Sequence, residues 1–480
     1  MVRLTVDLRN RRPLDHYWER CVGSGHAALG LRSDWRAQLK RCREELGFEY
    51  VRFHGLLNDD MSVCKRRAGG RLEYSFFNVD SIFDFLLDIG MKPFVELSFM
   101  PTDIASGSQT AFHYRGNVTP PKSYDEWYEL IRTLVAHLVQ RYGAREVRTW
   151  FFEVWNEPNL NYFWAGSQED YFHLYSAAAR AIKSVDAELR VGGPATARNE
   201  WIGDMITFCR SNGVPLDFVS THHYPTDIAL GHGSDMEERM ARSRRGILKE
   251  MVIKAVEEAQ GYPLFYTEWS NSPSSRDTYH DQPYAAAFVV KTIADHVGLL
   301  QVYSFWAFSD IFEEDGFAST PFHGGFGLLT IHGVPKPTYR AFQLLHELGP
   351  EQVDVSVEAP GESTIDALAG RDSKRAVIIV SNHNIPRAPI LKEDLEIVCR
   401  GLEATPRATL RRIDDDHANA RKRWIEMGCP EYLDTEQVQS LMRASEMKES
   451  PIEPELVDSD AVFRLSVPPH GVAAITLEWD

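Results

Sequence analysis

Trp150-Phe151-Phe152-Glu153-Val154-Trp155-Asn156-Glu157-Pro158-Asn159 opens as an apolar, aromatic run with strand character and stops in a polar turn. Strand alternation sets Glu153, Trp155 and Glu157 on one side and Val154 and Asn156 on the other until that turn breaks the period. A carboxylate at the end of a buried strand, beside an amide and with a proline stopping the strand, is costly unless it has a task. Read blandly, this is a polar strand end that caps the next helix. Three polar groups and two aromatic rings converge here, so the stretch reads instead as the home of a general acid, and Glu157 needs a partner.

Working outward, short apolar runs alternate with amphipathic helical stretches from about residue 20 to 349. Strands are expected at Cys21–Gly25, Glu49–Phe53, Lys92–Leu97, Val147–Trp155, Leu189–Gly193, Asp217–His222, Pro263–Trp269 and Gln301–Phe308. Helices are expected at Asp34–Leu46, Asp80–Ile89, Tyr124–Arg141, Glu169–Val185, Met236–Gln260 and Gln282–Val297, with Lys336–Leu348 closing the series. Eight such units in order predict an α/β fold, a closed (β/α)8 TIM barrel over residues 16–349. The strands end in Arg52-Phe53-His54-Gly55, Glu96-Leu97-Ser98, His222-His223-Tyr224-Pro225, Thr267-Glu268-Trp269 and Phe305-Trp306-Ala307-Phe308. Polar and aromatic groups thus gather at one rim, where barrel enzymes keep their chemistry.

After Gly349 the pattern changes. Val353–Val357, Ala376–Ser381, Ala408–Ile413, Val462–Val467 and Gly471–Leu477 read as strands of an accessory, antiparallel β-sandwich-like domain over 350–480. The stretch Asp414–Lys448 is a charged helical excursion. Residues 1–15 hold a strand, Leu4–Leu8, that has no place in the barrel count and is assigned to this second domain.

The chain has 480 residues, 43% of them hydrophobic, and a net charge of −17 that is spread rather than blocked. That balance argues against nucleic acid and anionic membranes as partners. The six cysteines are scattered with no CxxC, which reads as buried thiols in a reducing compartment. The first residues alternate as a strand rather than a signal peptide, and no apolar run approaches a membrane span, so a cytoplasmic location is expected. No histidine pair has metal-binding helical spacing and no glycine-rich phosphate loop appears, so neither metal nor cofactor is expected.

Pro263-Leu264-Phe265-Tyr266-Thr267-Glu268-Trp269 repeats the design of the opening stretch. Glu157 ends the fourth barrel strand and Glu268 the seventh, and those ends face each other across the mouth. Two such carboxylates are the minimal equipment for glycoside hydrolysis.

The chain resembles members of glycoside hydrolase family 39 nearly end to end. The resemblance is carried by Val22-Gly23-Ser24-Gly25-His26, Val51-Arg52-Phe53-His54-Gly55-Leu56, Phe99-Met100-Pro101, Phe152–Leu160, His222-His223-Tyr224-Pro225, Thr267-Glu268-Trp269 and Pro321-Phe322-His323-Gly324-Gly325-Phe326-Gly327-Leu328. It implies Glu157 as acid/base, Glu268 as nucleophile and retention of anomeric configuration. It further implies that Asn156 meets the sugar 2-hydroxyl, and that His222 and Tyr224 contact sugar or Glu268. His54, Trp306 and the strand-eight loop residues Glu313 or Glu314 are expected to line the same subsite. An exo-acting β-D-xylosidase on short oligosaccharides is the expected activity. α-L-Arabinosidase and α-L-iduronidase are the alternatives, and a degenerate carbohydrate-binding barrel is the non-enzymatic one. An iduronide carboxylate would call for Arg or Lys, whereas the strand-eight loop offers Glu313, Glu314 and Asp315. The second domain is read as structural, packing on the barrel or, as a homo-oligomer, on another copy.

Overall fold

The computed structural model describes residues 1–229, 235–402, 406–458 and 460–479. Eight parallel strands, Cys21–His26, Tyr50–His54, Lys92–Leu97, Phe151–Val154, Arg190–Thr196, Phe218–His223, Leu264–Trp269 and Val302–Phe305, close into a barrel. Each pairs with the next, and Phe305 returns to Val22 to complete the ring. Helices at Ser33–Leu46, Phe77–Asp88, Tyr124–Tyr142, Gln168–Val185, Ile202–Asn212, Ile247–Glu258, Pro283–His296 and Pro337–His346 cover the outside. The barrel expected from the sequence is therefore present, with two local corrections. The fourth strand begins only at Phe151, because Gly143 (φ +85°) ends the preceding helix and residues 144–147 form another helical turn. The single helix expected over Met236–Gln260 is two, Met236–Ala241 and Ile247–Glu258. Between them the Ser243 hydroxyl donates to Pro225 O, and Arg245 turns out to pair with Asp366.

The strand period of two stacks the barrel interior in layers. At the bottom Cys21, Tyr50, Phe94, Phe218, Phe265 and Val302 form a buried apolar cluster against which Phe151 packs. Two residues further along the strands come Gly23, Arg52, Glu96, Glu153, Ser220, Thr267 and Ser304, a small and polar layer, all buried. The top layer carries His54, His222 and Trp306. Gly23 is required by its neighbour, since a Cβ there would lie 2.4 Å from the Trp306 ring. The polar layer is thus sealed below by aromatic rings and opens only toward the C-terminal rim.

The second core belongs to a ten-stranded sheet. Its main strands are Glu351–Glu358, Ile365–Arg371, Arg375–Asn382, Glu393–Arg400, Arg407–Ile413, Asp460–Val467 and Val472–Glu478. Val2–Pro13 lies inside this sheet, antiparallel to Glu351–Glu358 and parallel to Glu393–Arg400. That parallel pair departs from an otherwise antiparallel arrangement. The strands Ile365–Arg371 and Glu393–Arg400 were not expected, because charges at Asp366, Arg371, Glu393, Asp394 and Glu396 break up their apolar pattern. Ala420–Glu426 and Thr435–Ala444 form the helical excursion. The sheet packs on the barrel helix Pro283–His296, where Tyr284 lies 5.0 Å, ring to ring, from both His383 and His470. Five cysteines are buried as expected, but Cys429 is exposed; all six are free.

That junction makes stability depend on pH. Burial holds His470, and His296 within the barrel, down to about 4, and His383 well below its ordinary value. All three are neutral when folded, whereas an unfolded histidine titrates near 6.5. The stabilisation is complete above about pH 6.5 and is lost as pH falls toward 4, at up to about 3 kcal/mol each for His296 and His470. Urea titrations are expected to give a clearly lower midpoint at pH 5 than at pH 7; equal midpoints would contradict it.

Candidate active site

A cleft of about 390 Å3 opens at the C-terminal rim of the barrel. His54, Asn156, Glu157, Tyr224, Glu268, Trp306 and Glu314 line it, joined by Phe112, Tyr162, Phe163, Arg198, Asp227, Asp315 and Phe326. His222 lies beneath, between the two carboxylates. Glu313 is not brought to the cleft, because its carboxylate meets His26 Nδ1 at 2.7 Å. The adjacent Glu314 points inward instead, 3.7 Å from His54 Nε2.

Glu157 reaches the cleft because the strand ends early. Trp155 and Glu157 take φ of +74° and +44°, a region ordinarily left to glycine, and so the alternation expected through this stretch already fails at Trp155. The Trp155 indole turns away to donate to Phe163 O (2.8 Å), while Asn156 faces inward with Glu153. The Glu157 N–H donates to Ala195 O at 2.9 Å, which ties the turn to the fifth strand. Glu268 is aimed by a bulge. Thr221 pairs with Tyr266 and His222 with Glu268, so Thr267 is the extra residue and both Thr267 and Glu268 face inward.

Carboxylate oxygens of Glu157 and Glu268 and a ring nitrogen of His222 all lie within 4.8 Å of one another. His222 Nδ1 is 2.9 Å from Glu157 Oε1 and 3.7 Å from Glu268 Oε2. The Tyr224 hydroxyl donates to Glu268 Oε1, and Arg52 Nη1 stands 3.8 Å from its other oxygen. Arg52 is buried whole. Its Nε meets Glu153 (2.6 Å) and its Nη2 meets Glu96 (2.8 Å) and donates to Asn156 Oδ1 (2.9 Å). His54 Nδ1 in turn bonds Glu96 at 2.8 Å.

The electrostatics separate the two acids. Burial pushes Glu157 up to about 7, with Glu96 adding to the rise and His54, Arg52 and Arg198 opposing it. Burial also raises Glu268, and so does Glu157, but His54 and Arg52 pull it down. With a hydroxyl donor and a guanidinium beside it, Glu268 is the member of the pair that keeps its charge. Asp227 is raised to about 7 by burial, and Glu314 is lifted well above the carboxylate range by burial and by Glu268. Burial drives His222 down to about 4, so it is neutral between them.

Glu157, His222 and Glu268 have the spacing of a cation site, as do His16, Glu19 and His346 at the far end of the barrel. In the first, Arg52 already supplies the positive charge. In the second, Glu19 is hydrogen-bonded by His16 Nδ1 at 2.5 Å, closer than two ligands of one ion would stand.

Arg52, Glu96, Glu153 and Thr267 were not singled out from the sequence. Each lies two residues along its strand from an aromatic of the bottom layer, and that period is the signal that could have found them.

A buried polar layer, two carboxylates at opposed strand ends and an aromatic-walled cleft define a barrel of the glycosidase kind. Comparison with known proteins agrees. The model of glycosyl hydrolases family 39 matches residues 2–455. A β-xylosidase of Caldicellulosiruptor saccharolyticus is 55% identical over 100% of this chain and 99% of its own. A β-xylosidase of Geobacillus stearothermophilus is 35% identical over 92% and 88%. The structure of a GH39 β-xylosidase from Caulobacter crescentus superposes with a TM-score of 0.84 at 34% identity, covering 99% of this chain and 100% of that one. The chain belongs to glycosyl hydrolases family 39, and it is a glycoside hydrolase.

Proposed function

We propose that this chain is an exo-acting β-D-xylosidase that releases xylose from short oligosaccharides with retention of configuration. The observation that carries the reading is the placement of the Glu157 and Glu268 oxygens within 4.8 Å of each other in one cleft. Retaining enzymes hold their carboxyl groups about 5–5.5 Å apart, too close for an intervening water, so the ionised one attacks the sugar carbon itself. Glu268 takes that part. Glu157 protonates the departing oxygen, then accepts a proton from the water that releases the sugar. While Glu268 is charged it disfavours ionisation of Glu157; once Glu268 is esterified that repulsion is gone. Asn156 spends its Oδ1 on Arg52 and keeps its amide N–H groups for a sugar hydroxyl.

The substrate follows from the walls. The Phe112 N–H donates to the Tyr162 hydroxyl (2.9 Å) and the His113 N–H to Glu314 O (2.9 Å), so the 110–117 loop is stitched across one end of the cleft. A walled pocket takes the end of a chain rather than its middle. Glu314 brings a hydrogen-bonding carboxyl for sugar hydroxyls, and the Asp315 carboxylate repels a uronate. Arg198, the cation of the upper wall, is paired with Glu200 at 3.1 Å. β-Xylosidase activity in full-length relatives favours xylose over arabinose. The unpaired, mostly buried thiols favour the cytoplasm.

Proton NMR of an aryl β-D-xyloside during turnover is expected to show β-xylose first. Initial α-xylose would overturn the mechanism. Turnover of an α-L-arabinoside with none of the xyloside would overturn the substrate.

A further inference from the structure

Behind Glu157 a line of hydrogen bonds runs through the barrel. His222 Nδ1 meets Glu157 at 2.9 Å, and its Nε2 lies 3.1 Å from the Thr267 hydroxyl oxygen. That hydroxyl donates to Glu153 Oε1 at 2.8 Å, and Arg52 Nε holds the other Glu153 oxygen at 2.6 Å. All of these side chains are buried. A hydroxyl has a single hydrogen. With that hydrogen committed to the Glu153 carboxylate, the Thr267 oxygen can only accept, so Nε2 must be the nitrogen that carries a proton. A neutral imidazole bears one N–H, and Nδ1 is left presenting a lone pair to Glu157. A lone pair 2.9 Å from a carboxyl oxygen is favourable only if the carboxyl holds the proton.

We propose that Thr267 is a positioning residue: by fixing the tautomer of His222 it keeps the catalytic proton on Glu157. This rests on the reading of Glu157 as the acid/base. The same lone pair serves both halves of the reaction. Before glycosyl transfer it favours the carboxyl form. Once Glu157 has given its proton to the departing oxygen, the carboxylate finds no donor on His222 and is the more basic toward the incoming water. The other groups facing Glu157 are Arg52 and His54 from the second strand, Glu96 from the third and Glu268 from the seventh. Arg198 faces it from the loop after the fifth strand, Tyr224 and Asp227 from the loop after the sixth, and Glu314 from the loop after the eighth. None of them is hydrogen-bonded to the Thr267 hydroxyl, which among the described residues meets only His222 and Glu153.

Thr267→Val replaces the hydroxyl by a methyl of the same shape. The buried Nε2–H then has no acceptor, the Nδ1–H tautomer becomes the better one, and it donates to ionised Glu157. The alkaline limb of kcat/KM for a xyloside with a poor leaving group is expected to move down by about one pH unit, while Thr267→Ser restores the wild-type limb. A folded Thr267→Val enzyme with an unmoved limb would overturn the proposal. Should that variant not fold, neutron diffraction of the wild-type protein at pH 7 reads the tautomer directly; hydrogen on Nδ1 rather than Nε2 overturns it. Glu157→Gln keeps the two levels apart. If Glu157→Gln retains the alkaline limb, Glu157 is not the acid and the underlying reading falls. If it loses the limb while Thr267→Val keeps it, the tautomer proposal falls alone.

Discussion

Glu268→Ala is expected to lower kcat on aryl β-D-xylosides by on the order of 10⁵-fold, the scale on which removal of an attacking group acts in other enzymes with covalent intermediates. The side chain is the only carboxylate in the proposed mechanism placed to bond the sugar carbon, and alanine leaves a space where it stood. Azide can enter that space and attack from the same face, so the variant should regain turnover in azide and accumulate the α-xylosyl azide. Glu157→Ala should behave differently. It retains attack on substrates whose leaving groups need no proton, and its azide product is the β-anomer, because the glycosyl-enzyme is still formed. A Glu268→Ala enzyme with a few per cent of wild-type activity, or one whose azide product is β, would show that the attacking group lies elsewhere.

The largest effect on stability is expected at Lys336. Its ammonium is wholly buried, 2.7 Å from Asp281 Oδ1, 2.7 Å from Asp310 Oδ2 and donating to Gly325 O at 2.8 Å. The remaining oxygens of the two aspartates accept from the Gly324 and Gly327 N–H groups. This cluster ties the Gly324–Gly327 segment, which carries Phe326 into the cleft wall, to the loop after the eighth strand. Side chains there would collide: a Cβ at Gly327 lies 2.2 Å from Asp310 N. Lys336→Met fills the space but leaves two buried carboxylates without a cation, a loss of about 3–5 kcal/mol. Urea unfolding at pH 7 measures it. Adding Asp281→Asn and Asp310→Asn to Lys336→Met should recover part of the loss. A Lys336→Met variant within about 1 kcal/mol of wild type would show that the aspartates find water or shed their charge more readily than the packing suggests.

The barrel was legible because its strands are apolar runs that end in chemistry, and Glu268 stood out for the same reason. The residues beneath the cleft were not. Arg52, Glu96 and Glu153 look like charges that weaken a strand unless one counts by twos from Tyr50, Phe94 and Phe151 and sees that they share the inner face. Thr267 was overlooked beside Glu268, because strict alternation puts the two on opposite sides and only the bulge turns both inward. Glu313 and Glu314 are neighbours in a loop, and sequence gives no means of telling which faces His26 and which faces His54. The long helix expected over Met236–Gln260 had the right period, but Arg245 is drawn out of it toward Asp366 of the other sheet. In the second domain, Glu393–Arg400 lies between two other strands, yet its charged residues conceal it. Long-range partners, not local preference, decided each of these.

Val2–Pro13 is synthesised before the two strands it is held between, which come some 350 to 390 residues later, with Leu4 opposite Val357 and Ile397. At roughly 5–20 residues per second, those partners leave the ribosome tens of seconds after the strand does. Throughout that wait the barrel assembles while tethered to a strand whose apolar face, Val2, Leu4, Val6 and Leu8, and both edges have no partner. Such a strand is what another nascent chain can borrow. This strand is therefore made long before it is protected, and the order of synthesis, not the final fold, sets how long the chain is open to exchange with its own copies.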